Sequence, residues 1–342
     1  MTDALPLILV SSGDPAGIGP EIAAKACVWQ ETLHSARIAV VADSRVMRRA
    51  VESMQLPLEI RSITAPQDGS YEPGILNVID VPNAPPQTFT HGAVQAVCGA
   101  AAYEYIEKSV NLALAGKADA IATAPIHKES LKAAGVPYIG HTEILGALTG
   151  TQDPLTMFEV HSLRVFFLTR HVPLAKACTL ITRERIKDYV VRCYDMLRQL
   201  GAEGGTMAVA GLNPHCGEHG LFGTEEEQEI APAVQELQQR GVAAAGPVSA
   251  DSVFHLAKLG RYNSVLSLYH DQGHIAAKTL DFERTVSVTG GMPILRTSVD
   301  HGTAFDIAGT GRASEISMVE AIKTAAKYAR RFRAHTQTAA PQ

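Results

Sequence analysis

Short apolar runs alternate along the chain with longer stretches of helical spacing, and this alternation constrains the fold more than any other feature. Residues 38–42 form an apolar run, and the apolar residues after it recur on one helix face, at Val46, Met47, Ala50, Val51 and Met54. Further strands are predicted at residues 5–10, 75–81, 120–124, 165–169, 207–211, 265–269 and 286–289. Strands that alternate with helices predict an α/β fold with a largely parallel sheet.

Two helices have recognisable ends. Residues 93–115 have helical spacing and are closed by Gly116. The last helix is marked by Ser317 and Glu320, which have capping-box spacing. Three arginines lie near its carboxyl end, where cations are favourable: Arg330, Arg331 and Arg333.

The length of the chain bears on its division into domains. It has 342 residues, and a single apolar core stops growing at roughly 250–300 residues. Two lobes are therefore expected. No Pro, Gly or Ser-rich linker separates two halves, which is the pattern left by a second lobe inserted into the first.

Composition excludes several classes of function. The formal net charge is −5 and the charges are well mixed, without the basic stripe that a nucleic-acid binder needs. Apolar runs stop far short of the ~20 residues that span a membrane, and the start of the chain lacks the basic region of a signal peptide, so a cytoplasmic protein is expected. The five cysteines are odd in number and widely spread, which favours buried thiols over disulfides or a zinc knuckle.

Three histidines follow the predicted strands directly: His171, His215 and His270. Ligands of open α/β sheets bind beyond the carboxyl ends of the strands, and three imidazoles can hold a divalent metal ion with one position open for substrate. By spacing alone, unrelated surface or capping histidines are the more frequent case, because the chain has 13 of them. The shared position at strand ends strengthens the metal-site hypothesis, but from the residues alone unrelated histidines are still the more frequent case.

Asp271 follows the third of these histidines. An aspartate in this position could orient the imidazole or accept a proton from substrate. The alternative is an ordinary helix N-cap.

A glycine-rich segment at residues 13–21 follows the first strand and precedes a helix. It contains Gly13, Asp14, Gly17 and Gly19. Exposed N–H groups at such a helix start would favour an anion or a dinucleotide. The segment lacks the G-x-G-x-x-G order of a dinucleotide fingerprint, and a plain tight turn is the alternative.

A polar segment at residues 296–309 has neither helical nor strand periodicity, which predicts a long functional loop. Arg296 at its start and Lys278 before it could clamp a phosphate or a carboxylate. Solvated surface charges are the alternative for both.

This segment also carries a family resemblance. His301-Gly-Thr-Ala-Phe-Asp-Ile-Ala-Gly309 resembles the adenine-side loop of the isocitrate and isopropylmalate dehydrogenase fold. With the motifs GDPAGIGPE at 13–21, GHTE at 140–143, GLNPHCGE at 211–218, YHDQG at 269–273 and RTSVDHG at 296–302, the chain resembles the 4-hydroxythreonine-4-phosphate dehydrogenase family. The motifs run in order from about residue 7 to about residue 330.

The resemblance implies a fold and an activity. The expected fold is isocitrate/isopropylmalate dehydrogenase-like, with two α/β/α lobes and a cleft between them. Residues 1–125 and 280–342 would form the NAD lobe, and 126–279 the metal and dimer lobe. The expected activity, of the pyridoxal phosphate biosynthesis type, is NAD-dependent oxidation of a phosphorylated four-carbon hydroxy acid, whose β-keto acid product then loses CO₂.

The resemblance also implies site residues. The family's metal ligands, for Zn²⁺, Mg²⁺ or Co²⁺, fall on the three strand-end histidines, and its metal site is shared between the subunits of a homodimer. Its substrate contacts fall on His141, Thr142, Lys278 and Arg296. Asp271 and Asp251 are candidates for the general base. NAD contacts are expected at Gly13, Asp14, Gly17, Gly19, His301, Gly302, Thr303 and Asp306.

One departure from the family bears on the substrate. Ser287 stands where the family usually has an asparagine that contacts substrate, and a serine has a shorter reach and one amide group fewer. Relatives that oxidise D-threonate or D-erythronate 4-phosphate, or aromatic cis-dihydrodiols, are therefore alternatives. A metal-dependent hydrolase and a non-catalytic nucleotide-binding module are less favoured, because each leaves some of the motifs without a role.

Overall fold

The computed structural model describes residues 5–339, and the chain divides into two compact units. Unit 1 comprises Met1–Pro154 and Met292–Gln342, and unit 2 is Leu155–Gly291. The second unit is inserted into the first, but the boundaries differ from the predicted 125/126 and 279/280. Residues 126–154 belong to unit 1 because Leu131, Ile144 and Leu145 pack into its core.

Twelve strands and twelve α-helices are present among the described residues. The strands are β1 (Leu7–Ser11), β2 (Arg37–Ala42), β3 (Glu59–Ile63), β4 (Ile75–Asp80), β5 (Ala120–Thr123), β6 (Leu155–Val160), β7 (Leu163–Phe167), β8 (Met207–Ala210), β9 (Ala244–Val248), β10 (Ser264–Ser267), β11 (Val286–Gly290) and β12 (Arg296–Val299). The helices are α1 (Gly19–Ala26), α2 (Gln30–Ser35), α3 (Ser44–Ser53), α4 (Ala96–Leu114), α5 (Lys128–Ala133), α6 (His141–Thr149), α7 (Leu174–Thr179), α8 (Arg183–Gln199), α9 (Ala231–Gln239), α10 (Ala250–Lys258), α11 (His270–Leu280) and α12 (Ile316–Ala339). Short helical turns of other types span Pro66–Asp68, Pro214–Gly217 and Glu226–Ile230.

The strands of unit 1 run in the order β3-β4-β2-β1-β5-β12, and all their pairings are parallel. β1, with the sequence LILVS, is buried along its whole length. Continuous apolar strands of this kind are typical of a parallel sheet covered on both faces. The predicted α/β class is confirmed.

The strands of unit 2 run in the order β11-β6-β7-β10-β8-β9. β6 is antiparallel to both β11 and β7, whereas β7, β10, β8 and β9 pair in parallel. Phe158, Phe167 and Val265 lie in its buried core. β11 belongs here because it pairs with β6 over residues 286–290, which explains the second shift in domain boundary.

Two local predictions are wrong. Residues 296–299 form the buried strand β12 and not the start of a loop, because the polar side chains of Arg296, Thr297 and Ser298 are hydrogen-bonded within the protein. Ser317 cannot cap the last helix, since α12 already begins at Ile316. The predicted helix at 93–115 is confirmed as α4, and Gly116 after it has the left-handed φ of +68°.

Two further expectations concern the surface and the thiols. Within residues 5–339, every helix is too short or too polar to cross a lipid bilayer. All five cysteines are free thiols, and Cys27, Cys98 and Cys193 are buried. Burial raises the pKa of the Cys27 and Cys98 thiols to about 12, so neither is a reactive thiolate at neutral pH.

Candidate active site

The strand-end histidines follow three neighbouring parallel strands of unit 2. β10 pairs in parallel with β7 on one side and with β8 on the other. His171 comes after β7, His270 directly after β10, and His215 after β8. The carboxyl ends of parallel neighbours lie at the same edge of a sheet, which is the usual ligand-binding edge of an α/β fold.

His171 and His270 lie together at this edge. Their ring centroids are 5.9 Å apart, close to the roughly 5–6 Å expected when two imidazoles share a cation at metal–nitrogen distances near 2 Å. His270 Nδ1 lies 2.6 Å from Asp271 Oδ1, an arrangement in which a carboxylate orients an imidazole that binds metal through its other nitrogen. The donor set therefore fits a divalent cation.

The two histidines line a cavity of about 390 Å³. Arg170, Tyr269 and Asp271 supply its other polar groups. Its apolar wall comes from Val172, Pro173, Leu174 and Ala177. A pocket with an apolar wall and a few converging polar groups is typical of a small-molecule site.

His215 is presented by a segment with an unusual backbone. His215 and Cys216 have left-handed φ values of 53° and 57°, and Glu218 and His219 follow at 45° and 54°. Left-handed residues other than glycine are uncommon and cluster at functional sites. Among residues 5–339 of a single chain, no three His, Cys, Asp or Glu side chains form a metal-binding group. The structure thus brings His171 and His270 together and does not add His215 to them.

Glu226, which sequence reasoning missed, holds the backbone before His215. Its side chain is 2% exposed. Oε1 accepts hydrogen bonds from the backbone N–H groups of Leu212 and Asn213 at 2.8 and 2.7 Å, and Oε2 accepts one from Asn213 Nδ2 at 2.9 Å. It lies in the acidic run TEEEQE, which looks from sequence like a solvated helix face.

Gln272 was also missed, although it lies in the polar cluster after β10. Its Nε2 donates to the Gly211 carbonyl at 2.8 Å, and its Oε1 accepts from the Leu268 backbone N–H at 2.7 Å. The side chain therefore ties the start of α11 to the end of β8.

The two candidate bases lie on different helices of unit 2. Asp271 is the second residue of α11 and is exposed; Tyr269 holds the N-cap position, so the N-cap alternative for Asp271 is wrong. Asp251 lies in the first turn of α10, also exposed. Burial, with the nearby charges of Glu226 and Asp251, raises the pKa of the Cys216 thiol, which places Asp251 near the His215 segment.

Arg296 forms a buried cationic centre in unit 1. It is 5% exposed, and its Nε and Nη2 groups donate to Thr123 Oγ1 at 3.0 and 2.6 Å. Burial lowers the pKa of the guanidinium to about 9, and the charge of Asp300 opposes this shift. A desolvated cation of this kind is stabilised by an anionic ligand. Thr123 and Asp300, which the sequence did not identify as site residues, also lie around this guanidinium.

His141 stands close enough to Arg296 to be affected by its charge. His141 is the first residue of α6, and its Nε2 atom is buried without a hydrogen-bond partner among the described residues. Burial, and then the Arg296 charge, lower the pKa of this imidazole well below its usual value. A neutral imidazole with an unsatisfied nitrogen beside a cation can bind a polar anionic ligand. Thr142, next in α6, is exposed.

The glycine-rich segment at 13–21 has no exposed amides at Asp14, Gly17 or Ile18. These N–H groups donate to the carbonyls of Pro125, Asp14 and Thr303, all at 3.0 Å. All of residues 11–20 are buried, so the prediction of exposed amides is wrong. Nucleotide contacts at Gly13, Asp14, Gly17 and Gly19 stay a prediction without geometric support, and the tight-turn alternative fits better.

The predicted nucleotide residues at 301–306 differ from that segment in exposure. Gly302 and Asp306 are exposed and His301 is half-buried, whereas Thr303 is buried. Phe305 stacks on the ring of His127, with centroids 4.5 Å apart and an interplanar angle of 11°.

The remaining predicted contacts lie in unit 2. Lys278, in α11, has its Nζ 5.2 Å from the ring centroid of Phe282. Ser287 lies in β11 opposite Phe158 and is 8% exposed.

An α/β fold with a histidine pair at the carboxyl ends of its parallel strands is typical of enzymes that act on small molecules. The chain belongs to the family described as pyridoxal phosphate biosynthetic protein PdxA, whose model matches residues 34–325. The family predicted from the sequence motifs is confirmed.

Relatives of known name agree with this assignment. Proteins provisionally named D-threonate 4-phosphate dehydrogenase are 57% identical in Clostridium botulinum (strain Langeland), covering 97% of this chain and all of the relative, and 59% identical in Fusobacterium nucleatum, covering 95% and 98%. The crystal structure of 4-hydroxythreonine-4-phosphate dehydrogenase from Klebsiella pneumoniae is 42% identical with a TM-score of 0.89, covering 96% of this chain and 99% of that one. A terephthalate 1,2-cis-dihydrodiol dehydrogenase from Burkholderia xenovorans is 27% identical with a TM-score of 0.65, covering 94% and 98%. The chain is a dehydrogenase of this family.

Proposed function

We propose that this enzyme oxidises D-threonate 4-phosphate with NAD⁺ and that the resulting β-keto acid loses CO₂. The main support for an anionic substrate is the buried Arg296 guanidinium, whose pKa is lowered to about 9 by burial. The imidazole of His141, whose pKa lies well below its usual value, is close enough to be affected by this charge. The choice of acid comes from the relatives: those named for threonate 4-phosphate are 57–59% identical, and the one named for 4-hydroxythreonine phosphate is 42% identical.

The proposed substrate determines the products. D-threonate 4-phosphate carries a carboxylate at C1, hydroxyls at C2 and C3, and the phosphate ester at C4. When hydride leaves C3 for the nicotinamide and the C3 hydroxyl proton goes to a base, the ketone is β to the carboxylate. Cleavage of the C1–C2 bond then releases CO₂, and protonation of C2 yields dihydroxyacetone phosphate.

Arg296 and His141 are proposed to recognise an anionic group of this substrate. The guanidinium can donate a charged hydrogen bond to an oxyanion, and the arriving charge offsets the desolvation that lowers its pKa. The His141 Nε2 atom, which has no partner among the described residues, would gain one. Holding the substrate at this end orients C3 for hydride transfer. Thr142 and Lys278 are proposed as further substrate contacts.

His171 and His270 are proposed to hold a divalent cation, with His215 as a third ligand. When bound, such a cation supplies Lewis-acid stabilisation of negative charge on substrate oxygens. Asp271 holds the His270 ring through Nδ1. Asp271 and Asp251 are the candidates for the base that takes the hydroxyl proton. Because no three-ligand group exists among residues 5–339 of one chain, we also propose a homodimer in which a second copy completes the ligand set.

His301, Gly302, Thr303 and Asp306 are proposed to contact the NAD⁺. Gly302 and Asp306 are exposed, which leaves them accessible to a nucleotide. Thr303 is buried and its carbonyl accepts the Ile18 N–H, so its assignment rests on the family resemblance.

Ser287 is proposed to favour a hydroxy acid over an amino acid. The two candidate substrates differ only at C2, which carries a hydroxyl in threonate phosphate and an ammonium group in 4-hydroxythreonine phosphate. A serine in place of an asparagine removes one amide group from the site.

The test compares kcat/KM for NAD⁺ reduction with four acids in the presence of Co²⁺. D-threonate 4-phosphate is expected to be preferred over D-erythronate 4-phosphate and 4-hydroxythreonine 4-phosphate, with dihydroxyacetone phosphate formed in equal amount to NADH. Unphosphorylated D-threonate is the control and should react at least about 100-fold less efficiently, since a charged contact is lost.

Other outcomes of this assay would point elsewhere. Preference for 4-hydroxythreonine 4-phosphate, or for a cis-dihydrodiol, would contradict the choice of acid. Release of inorganic phosphate without NAD⁺ would contradict the dehydrogenase step. Ser287→Asn, assayed alongside, should shift preference toward 4-hydroxythreonine 4-phosphate.

A further inference from the structure

Two charged side chains of α1 bind the backbone of one segment of unit 1. The Glu21 carboxylate, 3% exposed, accepts hydrogen bonds from the backbone N–H groups of Gly309 and Gly311, the second at 3.0 Å. Lys25 Nζ donates to the carbonyl oxygens of Gly311 and Ala313, both at 2.7 Å. The Glu21 carboxylate thus binds backbone N–H groups of residues 309–313, and the Lys25 ammonium group binds backbone carbonyl oxygens of the same segment.

The spacing and charges of this pair suit the task. Glu21 and Lys25 are four residues apart, so they lie on the same face of α1. Hydrogen bonds between backbone N–H groups and a carboxylate are among the stronger kinds in proteins. Burial raises the pKa of Glu21, and the two amides together with the Lys25 charge oppose this shift.

The segment before α1 holds the same loop at a second point. The Ile18 N–H donates to the Thr303 carbonyl at 3.0 Å. A Cβ at Gly17 would lie 2.9 Å from Thr303 Cβ, so only glycine permits this approach. The exposed Asp306 lies between this anchor and the one at Gly309.

We propose that Glu21 and Lys25 are positioning residues for the nicotinamide nucleotide: they order residues 301–313 before the nucleotide binds. This inference rests on the proposed function, which assigns the nucleotide to residues 301–306. A loop that must be ordered on binding lowers affinity, because its conformational entropy is lost at that moment. A loop held in advance by α1 avoids that loss.

The chain contains a built-in reporter for this segment. Trp29 is its single tryptophan, and Trp29 Nε1 donates to Glu315 Oε1 at 2.9 Å. The other carboxylate oxygen of Glu315 lies 3.7 Å from Lys25 Nζ. Tryptophan fluorescence is therefore expected to respond to the state of this segment, without any catalytic turnover.

The experiment titrates NAD⁺ into the full-length protein and follows Trp29 fluorescence. In Glu21→Gln an amide group replaces one acceptor and faces a backbone donor, so the Kd for NAD⁺ should rise at least about tenfold. Lys25→Met should raise it less, and Lys25→Arg should restore it. Glu31→Gln is the matched control, because Glu31 pairs with Lys323 at 2.5 Å and lies in α2.

A second measurement separates positioning from general destabilisation. In Glu21→Gln the KM for NAD⁺ should rise, while kcat at saturating NAD⁺ and the KM for the phosphorylated acid stay within about twofold of wild type. Hydrogen exchange at the Gly309 and Gly311 amides should be faster in the variant without nucleotide.

The outcomes distinguish the inference from the function it rests on. If wild type binds NAD⁺ and Glu21→Gln binds it equally well, the inference is overturned and the proposed function stands. If wild type does not bind NAD⁺, the proposed function fails and the inference with it. Should Glu21→Gln not fold, loss of affinity in Lys25→Met with recovery in Lys25→Arg supports the inference, and unchanged affinity in both overturns it.

Discussion

The candidate site residues of the two units differ in their exposure to solvent. In unit 1, Arg296 is 5% exposed and the Nε2 atom of His141 is buried, and burial lowers the pKa of both side chains. In unit 2, His171 and Asp271 are exposed and His270 is half-buried. A buried charge attracts an opposite charge more strongly, because the surroundings screen it less. The unit 1 group is therefore prepared for an anion, and the unit 2 group is open to a cation that arrives from solvent.

This difference also separates what each group does to stability. A buried guanidinium whose pKa is lowered to about 9 destabilises the ligand-free protein. Binding of the anion thus offsets a strain already present in unit 1, whereas the histidine pair depends on its backbone supports for precise placement.

The largest expected effect comes from Arg296→Met, which removes the buried charge. We expect kcat/KM for the phosphorylated acid to fall at least about 100-fold, because a charged contact with the anion is lost. The free energy of unfolding should fall, by on the order of 3–5 kcal/mol, because Thr123 and Asp300 keep their positions and lose the cation beside them. Urea denaturation and NADH formation measure the two effects, and Co²⁺ affinity should not change.

The pH dependence of this stability difference follows from the direction of the pKa shift. The folded-state pKa of Arg296 is about 9, below the 12.5 of an unperturbed arginine. The unfolded chain therefore holds more protons above about pH 9, and the stability of wild type should rise there relative to that of the variant. Arg333→Met, which breaks only the 2.7 Å contact to Asp119 at the surface, is the control. Arg296→Met with unchanged stability and normal activity would refute the buried-cation interpretation.

The next effect concerns the backbone that supports His215. Glu226→Ala leaves the buried N–H groups of Leu212 and Asn213 without their acceptor, which should lower the free energy of unfolding by about 2–4 kcal/mol. The same loss should weaken Co²⁺ binding about 10–100-fold, as removal of a group that supports metal ligands does. Isothermal titration with Co²⁺ measures the affinity. The affinity for the phosphorylated acid should change much less.

Glu226→Gln is the matched control for this change. Because Oε1 accepts both backbone hydrogen bonds, the glutamine carbonyl can replace it, and only the contact with Asn213 Nδ2 is lost. The effect should therefore be a fraction of that in Glu226→Ala. Equal Co²⁺ affinity in all three proteins would show that the backbone before His215 does not determine metal binding.

The features that could be predicted from sequence are those that depend on strong local patterns. Runs such as 120–124 and 207–211 predicted strands β5 and β8 to within a residue, because buried parallel strands are continuously apolar. The position of His171 and His270 followed from the same pattern, since both come directly after such a run.

The features that could not be predicted depend on long-range partners. β12 has the polar sequence RTSV, and it is a strand because Thr297 and Ser298 find hydrogen-bond partners within unit 1. β3 has the largely exposed sequence EIRSI, which lacks an apolar face. The glycines at 13–19 suggested an anion site, but the amides of Asp14 and Ile18 in this segment donate to the carbonyls of Pro125 and Thr303, over 100 residues away.

A smaller effect is expected from Asp14→Asn. This variant tests how burial affects the pKa of a unit 1 side chain other than Arg296. Burial raises the pKa of Asp14, although the Ala16 N–H and the nearby His127 oppose this. The folded protein therefore holds more protons than the unfolded chain above about pH 4, and wild-type stability falls as pH rises through the raised pKa. The asparagine variant should be more stable at neutral pH, by about 1.4 kcal/mol for each pH unit that separates the folded-state pKa from the unfolded one, and equal to wild type below about pH 4.

Thermal unfolding across this pH range measures the difference. Asp195→Asn is the control, because Asp195 is a surface residue that pairs with Arg198 at 3.0 Å. A constant difference between Asp14→Asn and wild type at all pH values would contradict a raised pKa.

The smallest effect is expected at Glu218, in the left-handed part of the unit 2 segment. Its φ of 45° is unfavourable for any residue with a Cβ, so Glu218→Gly should raise the free energy of unfolding by up to about 1 kcal/mol, less the entropy that glycine adds to the unfolded chain. Gly217→Ala is the opposite case, since its Cβ would lie 2.8 Å from the Gly223 carbonyl oxygen, and it should destabilise. Urea denaturation of both variants measures the pair. If Glu218→Gly also leaves Co²⁺ affinity unchanged, then the backbone conformation of this segment presents His215 to solvent, and the Glu218 side chain has no part in it. A large loss of Co²⁺ affinity would instead show that the Glu218 side chain is part of the cation site.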